Sequence, residues 1–378
     1  MKLRILLSPL LCLLVAGCLS HPEAKKLSVH VGIASPEAID PYGSVNLDIP
    51  SSDLLNHGFL WGDEVSVQVN DQALTMPLLP HYRLVAPGDP VLVVWKKEDR
   101  PARLAVLYGS FAERFGIADK SSGPAWKAHP GVEFPLDVTI TLLRTGAYAA
   151  NVNLLDLRRT NVRADYATLS DDDFANFRAV SAPRLRPNVL FRSSSPIQTE
   201  LERNGYVDAA CRREGIKTVV NMADAENDAR AARGFPNSYV SAQTVLYKPM
   251  GVDFSSPDFG QDLADSLRFL AEHEPPYLLH CKEGQDRTGF ICAILECYFG
   301  AMIDDVEEDY LRTFRNFYGV LPGSPAESAL RDTFYRILTR AFNKFGFSDL
   351  SASAQAYLQS IGLTDADLTA LKGKLEAN

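Results

Sequence analysis

Cys281 and Arg287 stand six positions apart in the run His280-Cys281-Lys282-Glu283-Gly284-Gln285-Asp286-Arg287-Thr288-Gly289. An apolar run, Tyr277 to Leu279, precedes it, and another, Phe290 to Leu295, follows it. The pattern predicts a strand, a tight glycine-bearing loop and a helix start. A loop that feeds a helix N-terminus gathers several backbone N–H groups into a concave nest for an anion, assisted by the helix dipole. A cysteine at the base of that nest sits in a positive potential that favours the nucleophilic thiolate. Arg287 can hold two oxygens of a phosphate in its planar fork. Nucleophile, anion cradle and clamp together are the parts of a phosphoryl-transfer site, and the thiolate takes the phosphoryl group without a metal or cofactor. Within the loop Lys282, Glu283, Gly284 and Gln285 are expected to touch the substrate, with Lys282 and Glu283 pointing outward to tune its choice.

An alkoxide or phenoxide leaving group also benefits from a proton, worth roughly 10²–10⁴ in rate. Asp253, in Met250-Gly251-Val252-Asp253-Phe254, is the first choice for the donor. A helix and a strand separate it from Cys281, which returns the chain to the same end of a sheet. Asp286, inside the loop, is the rival. Asp258 reads as a dipole-compatible residue of a helix start. Lys248 is a candidate for a second phosphate, and Arg192 for reaching the site from a first strand.

The loop resembles the phosphate-binding loop of cysteine-dependent protein tyrosine phosphatases, whose signature is HC, five residues, then R and S or T. The Asp-Arg-Thr-Gly ending is similar to that of bacterial and fungal tyrosine phosphatases and of lipid phosphatases. The likeness extends over residues ~165–345, and includes Phe191-Arg192-Ser193-Ser194 and the strand Gly215 to Asn221. It implies a metal-independent phosphatase acting through a cysteinyl-phosphate on phosphotyrosine-type monoesters, in peptides or small esters. Thr288 would then stabilise the leaving thiolate, and His280 would help to set the ionisation of Cys281. An inositol phosphate or phosphoinositide is the alternative substrate within the superfamily. Gln285 stands where lipid-active relatives often carry lysine, which sets the resemblance against the lipid. An inactive phosphate-binding module is the rival from another class, and the intact Cys, Arg and Thr argue against it.

The elements that must position this loop form an α/β domain over 165–345, a central sheet flanked by helices. Strands are expected at Val189 to Phe191, Thr218 to Asn221 and Tyr239 to Tyr247. A helix capped at Ser256-Pro257 carries Phe259, Leu263, Leu267 and Leu270 on one face and stops at Pro275-Pro276. Further helices are read at 304–316 and 325–345, with a helical tail over 350–378 split at Gly362. Before this domain, residues 27–150 carry short strand patterns at Leu27 to Ile33, Ser44 to Leu47, Val65 to Val69, Tyr82 to Val85, Val91 to Trp95, Leu104 to Leu107 and Leu136 to Leu143. Gly, Pro, Asn and Asp punctuate them, as in Asn70-Asp71 and Pro87-Gly88-Asp89-Pro90. They predict a small all-β barrel or sandwich.

Residues 1–17 read as a targeting signal: Lys2 and Arg4, then an apolar stretch, Ile5 to Val15, too short for an ordinary membrane span. The ending Val15-Ala16-Gly17-Cys18 resembles the lipobox of bacterial lipoproteins. It implies a lipid on Cys18, a polar tether over 18–26, and an extracytoplasmic place on a bacterial membrane, the outer one in a Gram-negative cell. A net charge of −9 argues against a nucleic-acid partner. With Cys12 in the signal and Cys18 acylated, Cys211, Cys281, Cys292 and Cys297 are too few for a disulfide scaffold.

Overall fold

Val65, Val67 and Val69 alternate with Ser66 and Gln68, and the next two residues, Asn70-Asp71, invite a tight hairpin. In a computed structural model of the chain, which describes residues 27–96, 100–120, 123–342 and 344–377, the hairpin forms, with Asn70 at φ +51°. The signals at Lys2, Arg4 and Cys18 and the tether lie outside the described residues. Among the described residues no helix is long and apolar enough to cross a membrane.

The N-terminal unit is a seven-stranded sheet. Its strands are β1 (Ser28–Ile33), β2 (Val45–Pro50), β3 (Glu64–Val69), β4 (Gln72–Leu79), β5 (Pro90–Val93) and β6 (Pro101–Val106). A two-residue ladder, β7 (Ala118–Asp119) with β8 (Lys127–Ala128), stands apart, and β9 (Leu136–Arg144) completes the sheet. The order is β1-β9-β3-β4-β5-β6-β2. The end strands β1 and β2 lie side by side, so the sheet curls nearly into a barrel around Leu47, Phe59, Val67, Leu78, Leu104 and Ile140. Two sequence readings are corrected here. Gln72–Leu79 is a strand whose pattern was hidden by Pro77 and by a half buried throughout. Tyr82 to Val85 is no strand: a 3-10 turn forms at Tyr82–Leu84, because the His81 ring accepts the Arg83 N–H.

The C-terminal unit is built on β10 (Arg178–Ala179), β11 (Leu190–Ser193), β12 (Thr218–Asn221), β13 (Thr244–Tyr247) and β14 (Tyr277–His280), in the order β10-β11-β14-β12-β13. All neighbours are parallel except the edge pair β10–β11. Side chains alternate between two layers, as the pleat requires. Tyr277, Leu279 and Val220 enter the larger core, while Leu278 and Val219 join Val207, Ala210 and Cys211 on the opposite side. The expected third strand is shorter than its pattern, since Tyr239–Ala242 turns as a 3-10 segment before β13.

The helix Pro257–Glu272 buries Phe259, Leu263, Leu267 and Leu270, capped by the Ser256 hydroxyl. The helix Asp286–Tyr298 is buried at every position from Thr288 to Tyr298, as an element apolar on all sides must be. The C-terminal helices Leu350–Ser360 and Asp365–Leu375 are no detached tail. Leu358, Leu363, Leu368, Leu371 and Leu375 pack into the same core as the central helix, and Arg186 N–H donates to the Leu375 carbonyl at 2.8 Å. The two units are joined through Ala86, which lies in the larger core of the C-terminal unit, and through Arg340, which bonds the Pro87 carbonyl and the Asp89 carboxylate.

Candidate active site

Central parallel strands place whatever follows them at the carboxyl edge of the sheet, where ligands bind in open α/β folds. Cys281 follows β14 directly, between β11 and β12, and is buried. The loop from Lys282 to Gln285 then turns at Gly284 (φ +69°) into the helix Asp286–Tyr298. A side chain at Gly284 would collide with the Ser193 carbonyl, so glycine is needed both for space and for that backbone conformation.

The carbonyls of Lys282, Glu283 and Gly284 are claimed from outside the loop. Ser195 N–H donates to the Lys282 carbonyl at 3.0 Å. The Asn176 amide donates to the Glu283 carbonyl at 3.1 Å, and Arg192 donates to the Gly284 carbonyl at 2.8 Å. With the carbonyls turned outward, the peptide planes present their N–H groups to the loop's interior, and this is the geometry of an anion nest.

Arg192 itself is held by Asp309, which also binds Arg178. Arg178 in turn donates to the Asn176 side chain at 2.6 Å. Burial opposes ionisation of Asp309, but the two guanidinium charges hold its carboxyl below the usual range. Beside them, burial pushes the Glu296 carboxyl well above its usual range, and one of its oxygens has no hydrogen-bond partner. Burial thus disfavours charge on Glu296, while the two arginines favour it on Asp309.

Around the nucleophile, Arg287 donates to the carbonyls of Met222 (2.6 Å) and Met250 (3.2 Å), which orient the guanidinium along one edge. Its Nε, and the hydroxyl of Thr288, are buried without a protein partner. His280 is buried, and desolvation lowers its pKa to about 4. It is neutral at neutral pH, so it has no charge with which to promote ionisation of Cys281. It serves through its backbone carbonyl, which accepts from Met222 N–H at 2.9 Å. Asp286 lies at the start of the helix. Burial raises its pKa, Glu283 adds to the rise, and the Gln285 amide and Arg287 oppose it. Burial also pushes the thiols of Cys292 and Cys297 up to about 12, leaving both as inert core groups.

Residues 219–377 match the model of the tyrosine phosphatase family. That stretch, which carries the loop, is similar to the family. No curated protein matches the chain. Solved structures similar to it include P. aeruginosa TpbA in complex with phosphotyrosine, at 20% identity over 52% of this chain and 96% of that one, with a TM-score of 0.31. Another is the catalytic core of the S. cerevisiae PP-IP phosphatase SIW14, at 18% identity over 48% and 98%, with a TM-score of 0.27. An uncharacterized conserved protein of Thermotoga maritima matches at 17% identity over 30% of this chain, with a TM-score of 0.23, and the match spans 35% of that protein.

In this phosphatase domain the loop residues read from the sequence converge, and the remote ones divide. Asp253 lies three residues beyond Met250, whose carbonyl touches Arg287, so its segment borders the site. Its carboxylate, however, accepts both the N–H (3.1 Å) and the hydroxyl (2.6 Å) of Ser255 at the entrance of the next helix. Lys248 is paired with Asp262 and Asp265, a surface cluster and no phosphate site. Glu283 pairs with Arg159 and accepts from the Tyr318 hydroxyl at 3.3 Å. Lys282 is exposed. Arg192, a candidate for the site, lies behind the loop as its support. Asn176, Arg178, Ser195 and Asp309 were missed. Asn176 holds a left-handed backbone at φ +52° just before a strand, which its residue type alone does not announce.

Proposed function

We propose that this chain hydrolyses phosphate monoesters through a cysteinyl-phosphate, with phosphotyrosine-type esters as the leading substrates. The observation that carries the reading is the loop's orientation, carbonyls bonded outward by Ser195, Asn176 and Arg192, with Cys281 at its base and Arg287 fixed beside it. The thiolate of Cys281 attacks phosphorus while the loop amides and Arg287 hold the non-bridging oxygens. The P–O bond to the leaving group breaks, and an aspartic acid delivers the proton to the departing oxygen. Water then attacks phosphorus, the same carboxylate takes its proton, the P–S bond breaks and phosphate leaves. The unpartnered Thr288 hydroxyl is free to donate to the departing sulfur.

Geometry favours Asp286 over Asp253 as the proton donor. Asp253 is engaged by Ser255, whereas Asp286 faces the adjoining cleft and burial keeps its carboxyl protonated to higher pH than an ordinary aspartate. Asp286→Asn is expected to lower kcat for phenyl phosphate by about 10²–10⁴, and much less for 4-nitrophenyl phosphate, whose leaving group needs little protonation. The acid acts in its protonated form, so wild-type kcat should fall as pH rises through the raised pKa, and that limb should disappear in Asp286→Asn. The same leaving-group dependence in Asp253→Asn, and not in Asp286→Asn, would transfer the role to Asp253. Release of phosphate from phytate far faster than from phosphotyrosine would move the chain to inositol phosphates.

We also infer that a lipid on Cys18 holds the protein outside the cytoplasm, a reading supported by Lys2, Arg4 and the Val15-Ala16-Gly17-Cys18 ending. Radiolabelled palmitate should enter the wild type and not Cys18→Ala. Equal labelling, or none in either, would sink the assignment.

A further inference from the structure

A cleft of about 590 Å³ opens beside the phosphate loop, between the two units. Glu283, Gln285 and Asp286 line it from the loop, and Tyr310, Phe314 and Tyr318 from the helix Ile303–Tyr318 and its end. The facing wall comes from the N-terminal sheet: Arg83, Leu84 and Val85 from the segment after β4, and Leu107 and Tyr108 from the end of β6. Cys281 and Arg287 do not line this cleft, so it adjoins the reacting centre and extends it.

Tyr108 is the unusual member of that wall. It is half exposed, yet holds φ at +60°, a left-handed conformation that is uncommon for a bulky residue and persists only where its surroundings enforce it. Backbone bonds enforce it: Leu107 N–H donates to the Asp89 carbonyl at 3.2 Å, Gly88 N–H to the Leu107 carbonyl at 2.7 Å, and Gly109 N–H to the Val106 carbonyl at 3.2 Å. They aim the ring at the loop, close enough that Asp286, Arg83, Arg287 and Glu283 all act on its hydroxyl. Arg83 is exposed on the same wall and joins no ion pair among the described residues. The acidic loop residue opposite, Glu283, is already neutralised by Arg159. The cleft thus offers aromatic rings beside an anion cradle and two guanidinium groups, Arg158, held by the Leu155 and Leu157 carbonyls, and Arg83.

We propose that the N-terminal sheet completes the active site, with Tyr108 packing on the aromatic leaving group and Arg83 pairing with an acidic side chain next to a phosphotyrosine in a peptide. The inference rests on the phosphomonoesterase reading above and deepens it by naming the substrate's surroundings. The aromatic side chains along the cleft, Tyr108, Tyr310, Phe314 and Tyr318, offer an aryl ring faces and edges to pack on.

The test uses the full chain and two phosphotyrosyl peptides that differ only in flanking glutamates or glutamines. Wild type should prefer the glutamate peptide in kcat/KM, and Arg83→Gln should erase about a fivefold share of that preference. Tyr108→Ala should lower kcat/KM for phenyl phosphate relative to an alkyl phosphate by about three- to tenfold, with Tyr108→Phe restoring the ratio. Ratios unchanged from wild type in both variants would overturn the proposal, as would equal losses on every substrate. If wild type hydrolyses neither peptide, the phosphatase reading fails. Peptide binding to the Cys281→Ser protein then decides this proposal separately: a glutamate preference that Arg83→Gln removes supports it, and its absence overturns it.

Discussion

Replacing Cys281 by serine is expected to lower phosphate-ester turnover by about 10⁵-fold or more, the scale on which enzymes lose activity when a covalent nucleophile is removed. Serine's hydroxyl is a far weaker nucleophile than a thiolate, and the neighbourhood has nothing to activate it. His280 is buried and neutral, and its ring faces the Cys281 carbonyl at 3.2 Å. The anion cradle, in contrast, owes nothing to sulfur. The outward bonds from Ser195, Asn176 and Arg192 remain, and Arg287 keeps its two carbonyl partners. Inorganic phosphate should therefore still bind to Cys281→Ser in a calorimetric titration. The pair of measurements separates an enzyme from a binding module. Wild type and variant equally silent, with phosphate bound by both, would leave only the module.

Arg192→Ala carries the second large effect, and it should damage stability and catalysis together. Arg192 is 1% exposed and joins the Gly284 carbonyl to the Asp309 carboxylate. Its loss leaves Asp309 with Arg178 alone, and leaves the buried Gly284 carbonyl of the phosphate loop with only the long 3.5 Å bond from the Asn176 amide. Breaking a buried ion pair from one side costs about 3–5 kcal/mol. With both halves melting as one unit, that corresponds to a fall in Tm of roughly 5 °C. The freed Gly284 peptide can rotate, which turns one N–H out of the nest, and a misplaced cradle costs about 100-fold in kcat/KM. Arg192→Lys keeps the charge but lacks the fork that reaches both partners, so it should recover stability more than rate. The ion cluster also sets an acid limit. Because Asp309 is held below the usual carboxylate range, its contribution is complete above pH about 4 and is lost as falling pH protonates it. A folded Arg192→Ala protein with wild-type melting and rate would show the support role to be wrong.

The loop could be read from the sequence because its chemistry is local: Cys281, Gly284, Arg287 and Thr288 lie within eight positions, and their roles follow from residue type and the strand–loop–helix pattern. Helix Pro257–Glu272 was equally plain, since Phe259, Leu263, Leu267 and Leu270 repeat at helical spacing behind a serine cap. The support of the loop was not legible. Asn176 and Asp309 lie more than a hundred residues apart and meet through Arg178 only because β10 joins the sheet edge beside the helix Ile303–Tyr318. Each taken singly is an ordinary polar residue. Tyr108 escaped notice for a related reason. A tyrosine at the end of a strand carries no sign that its backbone is left-handed or that a second unit brings a phosphate loop against it.

The seam between the two sheets has a consequence for how this polypeptide can be divided. Ala86 is packed among the apolar side chains of the catalytic half, Arg340 is spent on Pro87 and Asp89, and Arg336 reaches the Tyr148 hydroxyl at 2.9 Å. A fragment excised at residue 165 would keep its thiol and its cradle, yet it would expose a hydrophobic scar and leave two guanidinium groups without their acceptors. The halves are therefore better regarded as one cooperative melting unit than as a reader attached to a motor.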